Sequence, residues 1–206
     1  MGEIVLRTVA LTGGIASGKS VVLEEARQFE SILGVEADKL AWSTYLPSTE
    51  VYRRIVECFG DEVTRGSGEI DRGKLGQIVF NCKDARADLE SIVHPAVMNE
   101  LRRIRLQKKA LFKLMVVEGA PLIDSDYIDP AFFEDWLLVD APPELRMKRL
   151  INRDDIEEGR AANLISLQKA FSEGKGNHDF VIDSSGSEAS TRRQARRLFE
   201  KLLASA

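Results

Sequence analysis

The segment Gly13-Gly14-Ile15-Ala16-Ser17-Gly18-Lys19-Ser20 fits the spacing G-x-x-x-x-G-K-[ST], and its setting constrains the chain more than any other feature. The apolar run Ile4–Leu11, broken by Arg7 and Thr8, precedes it and reads as a strand. Val21–Ile32 follows and reads as a helix. Strand, glycine-rich turn and helix together aim backbone N–H groups and the positive end of the helix dipole at an anion. Lys19 can then reach the β- and γ-phosphates of a nucleotide, and the Ser20 hydroxyl can ligate Mg²⁺. The binding segment so defined is Gly14, Ile15, Ala16, Ser17, Gly18, Lys19, Ser20 and Val21. A tight glycine turn with a chance Lys-Ser would not explain why both flanks carry the right period.

The rest of the chain bounds what such a loop serves. Its 206 residues, 44% hydrophobic and 30% charged, suffice for one full core with insertions. A formal net charge of −4 argues against broad nucleic-acid binding, so no nucleic-acid partner is expected. Cys58 and Cys82 lack C-x-x-C spacing and the two histidines lie far apart. That removes a zinc framework and a disulfide scaffold and fits a reducing compartment. No basic-then-apolar leader opens the chain, and no apolar run approaches the roughly 18 residues of a membrane helix. The expectation is a cytoplasmic protein without membrane contact, its oligomeric state open and a monomer its simplest form.

Further apolar runs read as strands and end on acidic residues: Leu33–Ala37 at Asp38, Leu111–Val117 at Glu118-Gly119, Trp136–Val139 at Asp140 and Phe180–Ile182 at Asp183. Helical patterns such as Leu89–Gln107 and Pro143–Arg153 lie between them. This alternation predicts an α/β fold, a parallel sheet with helices on both faces. Ligands bind such sheets at the carboxyl ends of the strands, which gives weight to Asp38, Glu118 and Asp140. Residues from about 42 to 110 are mostly helical and too long for a simple crossover. They predict a helical subdomain inserted into a core of about 1–41, 111–148 and 179–206. Residues from about 149 to 178, dense in charge, predict a mobile, arginine-bearing helical lid. Thr191–Leu203 reads as a basic amphipathic surface helix packed through Leu198, Phe199 and Leu202.

A nucleotide loop specifies binding, not a reaction. Transfer also needs an acceptor site, a base and cations around the phosphoryl group. Asp38, ending the second strand, is the best base: a neighbouring strand would set it beside the γ-phosphate, where it can accept a hydroxyl proton. An Asp there would equally cap the next helix. Arg149 and Arg153 are spaced i, i+4 and share a helix face, and their guanidinium forks suit a transferring phosphoryl group. Followed by Asp154-Asp155, the same pair also describes a solvated, salt-bridged face. Pro95 suits a helix start with His94 at the cap. Trp42 and Tyr45 suit either stacking on a base or packing, and packing is expected for Trp42.

Together these residues resemble the dephospho-coenzyme A kinases, and the resemblance covers nearly the whole chain. It begins at Val9-Ala10-Leu11-Thr12 and runs through the loop to Ser20. It continues at Glu36-Ala37-Asp38, Phe59-Gly60, Gly68-Glu69-Ile70-Asp71-Arg72-Gly73-Lys74-Leu75 and Val79-Phe80. Leu89-Glu90-Ser91-Ile92-Val93-His94-Pro95, Pro121-Leu122, Val139-Asp140, Lys148-Arg149, Arg153-Asp154-Asp155 and Val181-Ile182-Asp183 complete it. The resemblance implies a P-loop nucleotide kinase core with a helical coenzyme-A-binding subdomain and a lid. It implies transfer of the γ-phosphoryl group of ATP, with Mg²⁺, to the ribose 3′-hydroxyl of dephospho-coenzyme A. Asp38 would be the base near that hydroxyl, Lys19 and Ser20 would hold phosphates and Mg²⁺, and Arg153 and Arg149 would be lid cations. Arg72 and His94 would line the acceptor side.

Some positions depart from the family pattern. Ala16 stands where Gly is usual, so the loop either holds it at negative φ or accepts strain. Glu36 replaces Asp, Ser125 replaces an acidic residue, Ser184 replaces Asn, and the lid offers Lys169 and Lys175 around Phe171. The other readings are a different nucleoside or small-molecule kinase on the same core, or an ATP-binding protein without transfer. Retention of Lys19, Ser20, Asp38 and Arg153 argues against the last.

Overall fold

In the computed structural model, which describes residues 6–119, 125–166 and 178–205, the sheet forms as expected and all its pairings are parallel. Strands β1 (Arg7–Thr12), β2 (Ile32–Glu36), β3 (Leu114–Glu118), β4 (Asp135–Asp140) and β5 (Phe180–Asp183) stand in the order β2-β3-β1-β4-β5. Because β1 is central, the loop that leaves it at Gly13 opens at the carboxyl edge, where such sheets bind ligands. Arg7 fixes β1 against β4 with two bonds to the Asp135 carboxylate, 2.6 and 2.8 Å long.

Successive strand residues turn to opposite faces. Val9, Leu11, Leu114, Val116, Leu137 and Val139 join one core cluster. They pack there with Val22, Leu23 and Ala26 of α1 (Lys19–Ala26) and Ala195, Phe199 and Leu202 of α8 (Glu188–Ala204). Ala10, Met115 and Val117 alternate with them and are fully buried as well. Burial on both faces explains why β1 and β3 read as continuous apolar runs. Each large apolar side chain buried in this way contributes about 1.5–3 kcal/mol.

Several element ends fall elsewhere than the sequence suggests. The helix expected over Val21–Ile32 stops at Ala26. Phe29, which continues its apolar period, instead packs edge-on against Phe199 from a turn, and Ile32 opens β2. Strand β2 ends at Glu36, so Asp38 does not end a strand but lies in the first turn of α2 (Ala37–Thr44). Leu111 belongs to no strand and is 67% exposed. The first five residues, including the start of the run Ile4–Leu11, lie outside the described residues.

The chain divides into two compact units. One comprises residues 1–36, 105–124 and 130–206 and holds the sheet with α1, α6 (Pro143–Asp154), α7 (Glu158–Ser166) and α8. The other comprises residues 37–104 and 125–129 and holds α2, α3 (Glu50–Phe59), α4 (Arg72–Asn81) and most of α5 (Lys83–Lys108). Local capping sets these starts: Thr49 Oγ1 accepts from the Tyr52 N–H at 3.1 Å, and Asp71 Oδ1 accepts from Gly73 and Lys74 at 3.0 and 3.2 Å.

Pro95 starts no helix. It lies inside the 26-residue α5, and His94 is therefore not a cap. A proline inside a helix costs about 3 kcal/mol. The helix runs through because the stripe Ile92, Val93, Val97, Met98 and Leu101 is buried on both sides of it, and that burial outweighs the lost hydrogen bond.

Candidate active site

The glycine-rich loop is built from left-handed turns. Gly13 and Gly18 have φ of 148° and 98°, and Gly18 is the N-cap of α1. A β-carbon at Gly13 would meet the Val139 carbonyl oxygen at 2.3 Å, so the loop lies directly on β4. The Ser17 N–H closes the turn onto the Gly14 carbonyl at 3.1 Å. The Val21 N–H turns onto the Gly18 carbonyl at 3.1 Å, inside the first helical turn. Ala16 has φ of 58°: of the two options open to it, the chain takes the strained one. An L-residue there costs about 1–2 kcal/mol relative to glycine. Ala16→Gly is therefore expected to raise the melting temperature by about 2–8 °C. A scanning calorimeter checks this; an unchanged or lower value would mean that the loop relaxes around the methyl group.

Beside the loop lies a cavity of about 620 Å³, lined by Ala16, Gly18, Lys19, Ser20, Glu118, Arg149, Asn152 and Arg153. The Lys19 ammonium donates to the Gly13 and Gly14 carbonyls at 3.0 and 3.2 Å and stands 3.8 Å from the Glu118 carboxylate. Glu118, the last residue of β3, thus enters the site through Lys19, as does Asn152 through α6; neither is part of the sequence motif. Arg149 and Arg153 do share one face of α6, and both reach the cavity. Arg149 is tethered by Ser184, donating to its Oγ at 3.0 Å and its carbonyl at 2.6 Å. The Ser184 hydroxyl in turn donates to the Ser17 carbonyl, so one buried residue after β5 ties the loop to the arginine. Arg153 is more exposed and pairs bidentately with Asp154 at 2.7 and 2.9 Å. Lys169, Phe171 and Lys175 lie outside the described residues, as does Pro121-Leu122.

The second unit carries its own cluster. A cavity of about 220 Å³ is lined by residues that include Trp42, Tyr45, Arg65, Glu69 and Arg72. Trp42 does not pack away: it is 41% exposed, and the Arg72 guanidinium lies 4.2 Å over its ring. The Tyr45 phenol is raised above its usual pKa by burial; the Arg72 cation lowers it and the Asp38 carboxylate raises it. Asp38, Arg72, Trp42 and Tyr45 are thus neighbours within this unit, with the Asp38 side chain exposed.

His94 lies in the same unit but does not line that cavity. Its Nδ1 and the Ser125 Oγ are hydrogen-bonded at 2.6 Å, and burial holds its pKa below the usual value. A hydroxyl gives His94 no counter-charge that would keep a proton on it.

A central parallel strand, a glycine-rich loop on its carboxyl end and cations gathered over that loop define a P-loop phosphotransferase. The dephospho-CoA kinase family model matches residues 7–190. A dephospho-CoA kinase from Bacillus cereus is 36% identical over 94% of this chain and 96% of its own. A dephospho-CoA kinase domain-containing protein from Danio rerio is 37% identical over 94% of this chain and 84% of its own. The chain belongs to the dephospho-CoA kinase family. Among solved structures, dephospho-CoA kinase from Campylobacter jejuni superposes with a TM-score of 0.61 at 24% identity, over 95% of this chain and 97% of its own. Shikimate kinase from Acinetobacter baumannii superposes with a TM-score of 0.54 at 15% identity, over 97% of this chain and 94% of its own. These two likenesses speak for the fold alone.

Proposed function

We propose that this protein transfers the γ-phosphoryl group of ATP to the ribose 3′-hydroxyl of dephospho-coenzyme A, giving coenzyme A and ADP. The observation that carries this reading is the cavity in which Lys19, Arg149 and Arg153 converge over the glycine-rich loop of a family member. Such transfer asks little covalent chemistry of a protein; it asks for positioning and charge neutralisation. The loop amides and Lys19 would hold the β- and γ-phosphates. Arg149, fixed by Ser184, and Arg153 would neutralise charge on the equatorial oxygens as the bond from the γ-phosphorus to the bridging oxygen breaks. Asp38 would take the proton of the attacking 3′-hydroxyl as the new phosphorus–oxygen bond forms. The residues from Ala37 to Ile104 would be the acceptor subdomain, with Arg72 over Trp42 offering a cation and a stacking face. His94 would serve that side too. The stretch from Arg149 onward would be the lid.

The donor set fits Mg²⁺. The exposed Ser20 hydroxyl and the Glu118 carboxylate face one cavity with hard oxygens, and Mg²⁺ is held by one or two such groups plus phosphates and water. When bound there, it would neutralise phosphate charge. No helix among the described residues is long and apolar enough to cross a membrane. The reading is of a cytoplasmic enzyme, its oligomeric state open and a monomer its simplest form.

The test is ADP release from ATP and Mg²⁺, with and without dephospho-coenzyme A, and the product weighed by mass spectrometry. Release that depends on the acceptor, with a gain of one phosphate, supports the reading. A far better turnover of another alcohol would replace it with a different small-molecule kinase. Arg153→Ala is expected to lower kcat on the order of a hundredfold. A loss under about threefold would return Arg153 to a surface pair with Asp154.

A further inference from the structure

Arg146 differs from every other cation of the site. It lies three residues before Arg149 and seven before Arg153 on α6, so one helix face carries all three. Arg149 has Ser184 and Arg153 has Asp154. Arg146 is only 7% exposed, yet among the described residues its side chain makes no ion pair or hydrogen bond, and its buried Nε is without a partner. Its guanidinium lies against the phosphate loop. A β-carbon at Gly14 would stand 1.6 Å from Nη1 and 2.8 Å from Cζ. Gly14 is not among the residues with positive φ. Glycine is needed there for space, and the guanidinium fills that space.

A buried cation with no counter-charge lowers folded stability, and replacing such a group by an apolar one of similar volume is often neutral or stabilising. The loop beside it is built for an anion carrying several charges. In that poorly hydrated setting, the charge on Arg146 is screened far less than one on the surface.

We propose that Arg146 is a positioning residue for the nucleotide: its buried, unpaired guanidinium braces Gly14 and turns the loop's field toward the triphosphate, which is the counter-ion the protein does not supply. This rests on the reading of the loop as an ATP site. The consequence is a split that a packing role would not produce. Removing the charge should leave the ligand-free protein as stable as before or more so, and should still weaken binding of phosphates.

The experiment compares wild type with Arg146→Met, Arg146→Gln and Arg146→Lys. It records the melting temperature without ligand, the Kd for ATP, and the Kd for adenosine, which lacks phosphates. Arg146→Met and Arg146→Gln are expected to melt at or above the wild-type temperature and to bind ATP on the order of tenfold more weakly, with adenosine unchanged. Arg146→Lys should recover most of the loss. Wild-type ATP affinity in Arg146→Met would overturn the proposal. So would equal losses for ATP and adenosine with a lower melting temperature, or failure of both neutral variants to fold, since these are the marks of a packing prop. If wild type itself binds no ATP, the ATP-site reading falls, and the wild-type arm alone shows it.

Discussion

Lys19→Ala is expected to remove phosphoryl transfer by about a thousandfold or more while the fold survives. Contacts of the Lys19 side chain inside the site include the Gly13 and Gly14 carbonyls and the Glu118 carboxylate. None of these belongs to the apolar cluster that joins α1 and α8 to the sheet, apart from the strand that carries Glu118. Lys19 also opens α1, where alanine is the best helix former, so the backbone has no reason to change. On the proposed reading, what would be lost is a point charge at the β- and γ-phosphates, and each tenfold in rate corresponds to about 1.4 kcal/mol. The check pairs kcat/KM, by acceptor-dependent ADP release, with a thermal melt. Turnover within tenfold of wild type would remove Lys19 from the transition state. A collapsed melt would show that its bonds to the loop carbonyls hold the loop in shape.

Much of the fold was legible because five apolar runs alternate with helical periods, and those of β1 and β3, buried on both faces, are continuous. The nucleotide loop was legible because its spacing and its flanks both follow from the phosphate it would hold. Helix ends were less so. Phe29 and Ile32 extend the helical period of α1, yet one packs from a turn and the other starts a strand, and local pattern cannot separate these uses. Pro95 misled for a related reason: a proline is read locally as a start, and only the buried stripe around it carries α5 through. Arg146 had no motif to announce it, and Ser184 stood out only as a departure from the family pattern, with no sign of its partners. Ser184 acts by joining Ser17 to Arg149 across 167 and 35 residues of chain. Arg146 sits in a helix rich in charge, where one more arginine reads as surface, and only the space beside Gly14 distinguishes it. Trp42 was expected to pack and instead offers a face to Arg72, a contact formed between two helices of the second unit.

Asp38→Asn is expected to lower kcat by about 10²–10⁴-fold and to leave ATP affinity nearly unchanged. The asymmetry follows from what each group would do: the loop, Lys19 and the two arginines would hold phosphates, whereas Asp38 would take a proton from the attacking hydroxyl. Asparagine keeps the shape of the side chain and its place in the first turn of α2, so the neighbouring cavity lined by Trp42, Tyr45 and Arg72 should persist. It loses the negative charge and the ability to take a proton, which are the two properties the attacking hydroxyl needs. Single-turnover kinetics with saturating ATP, beside a direct ATP titration, separate these effects. Normal single-turnover rates would assign Asp38 to starting α2 and nothing more. A loss of ATP binding equal to the loss of rate would mean that the carboxylate organises the nucleotide rather than the hydroxyl that attacks it.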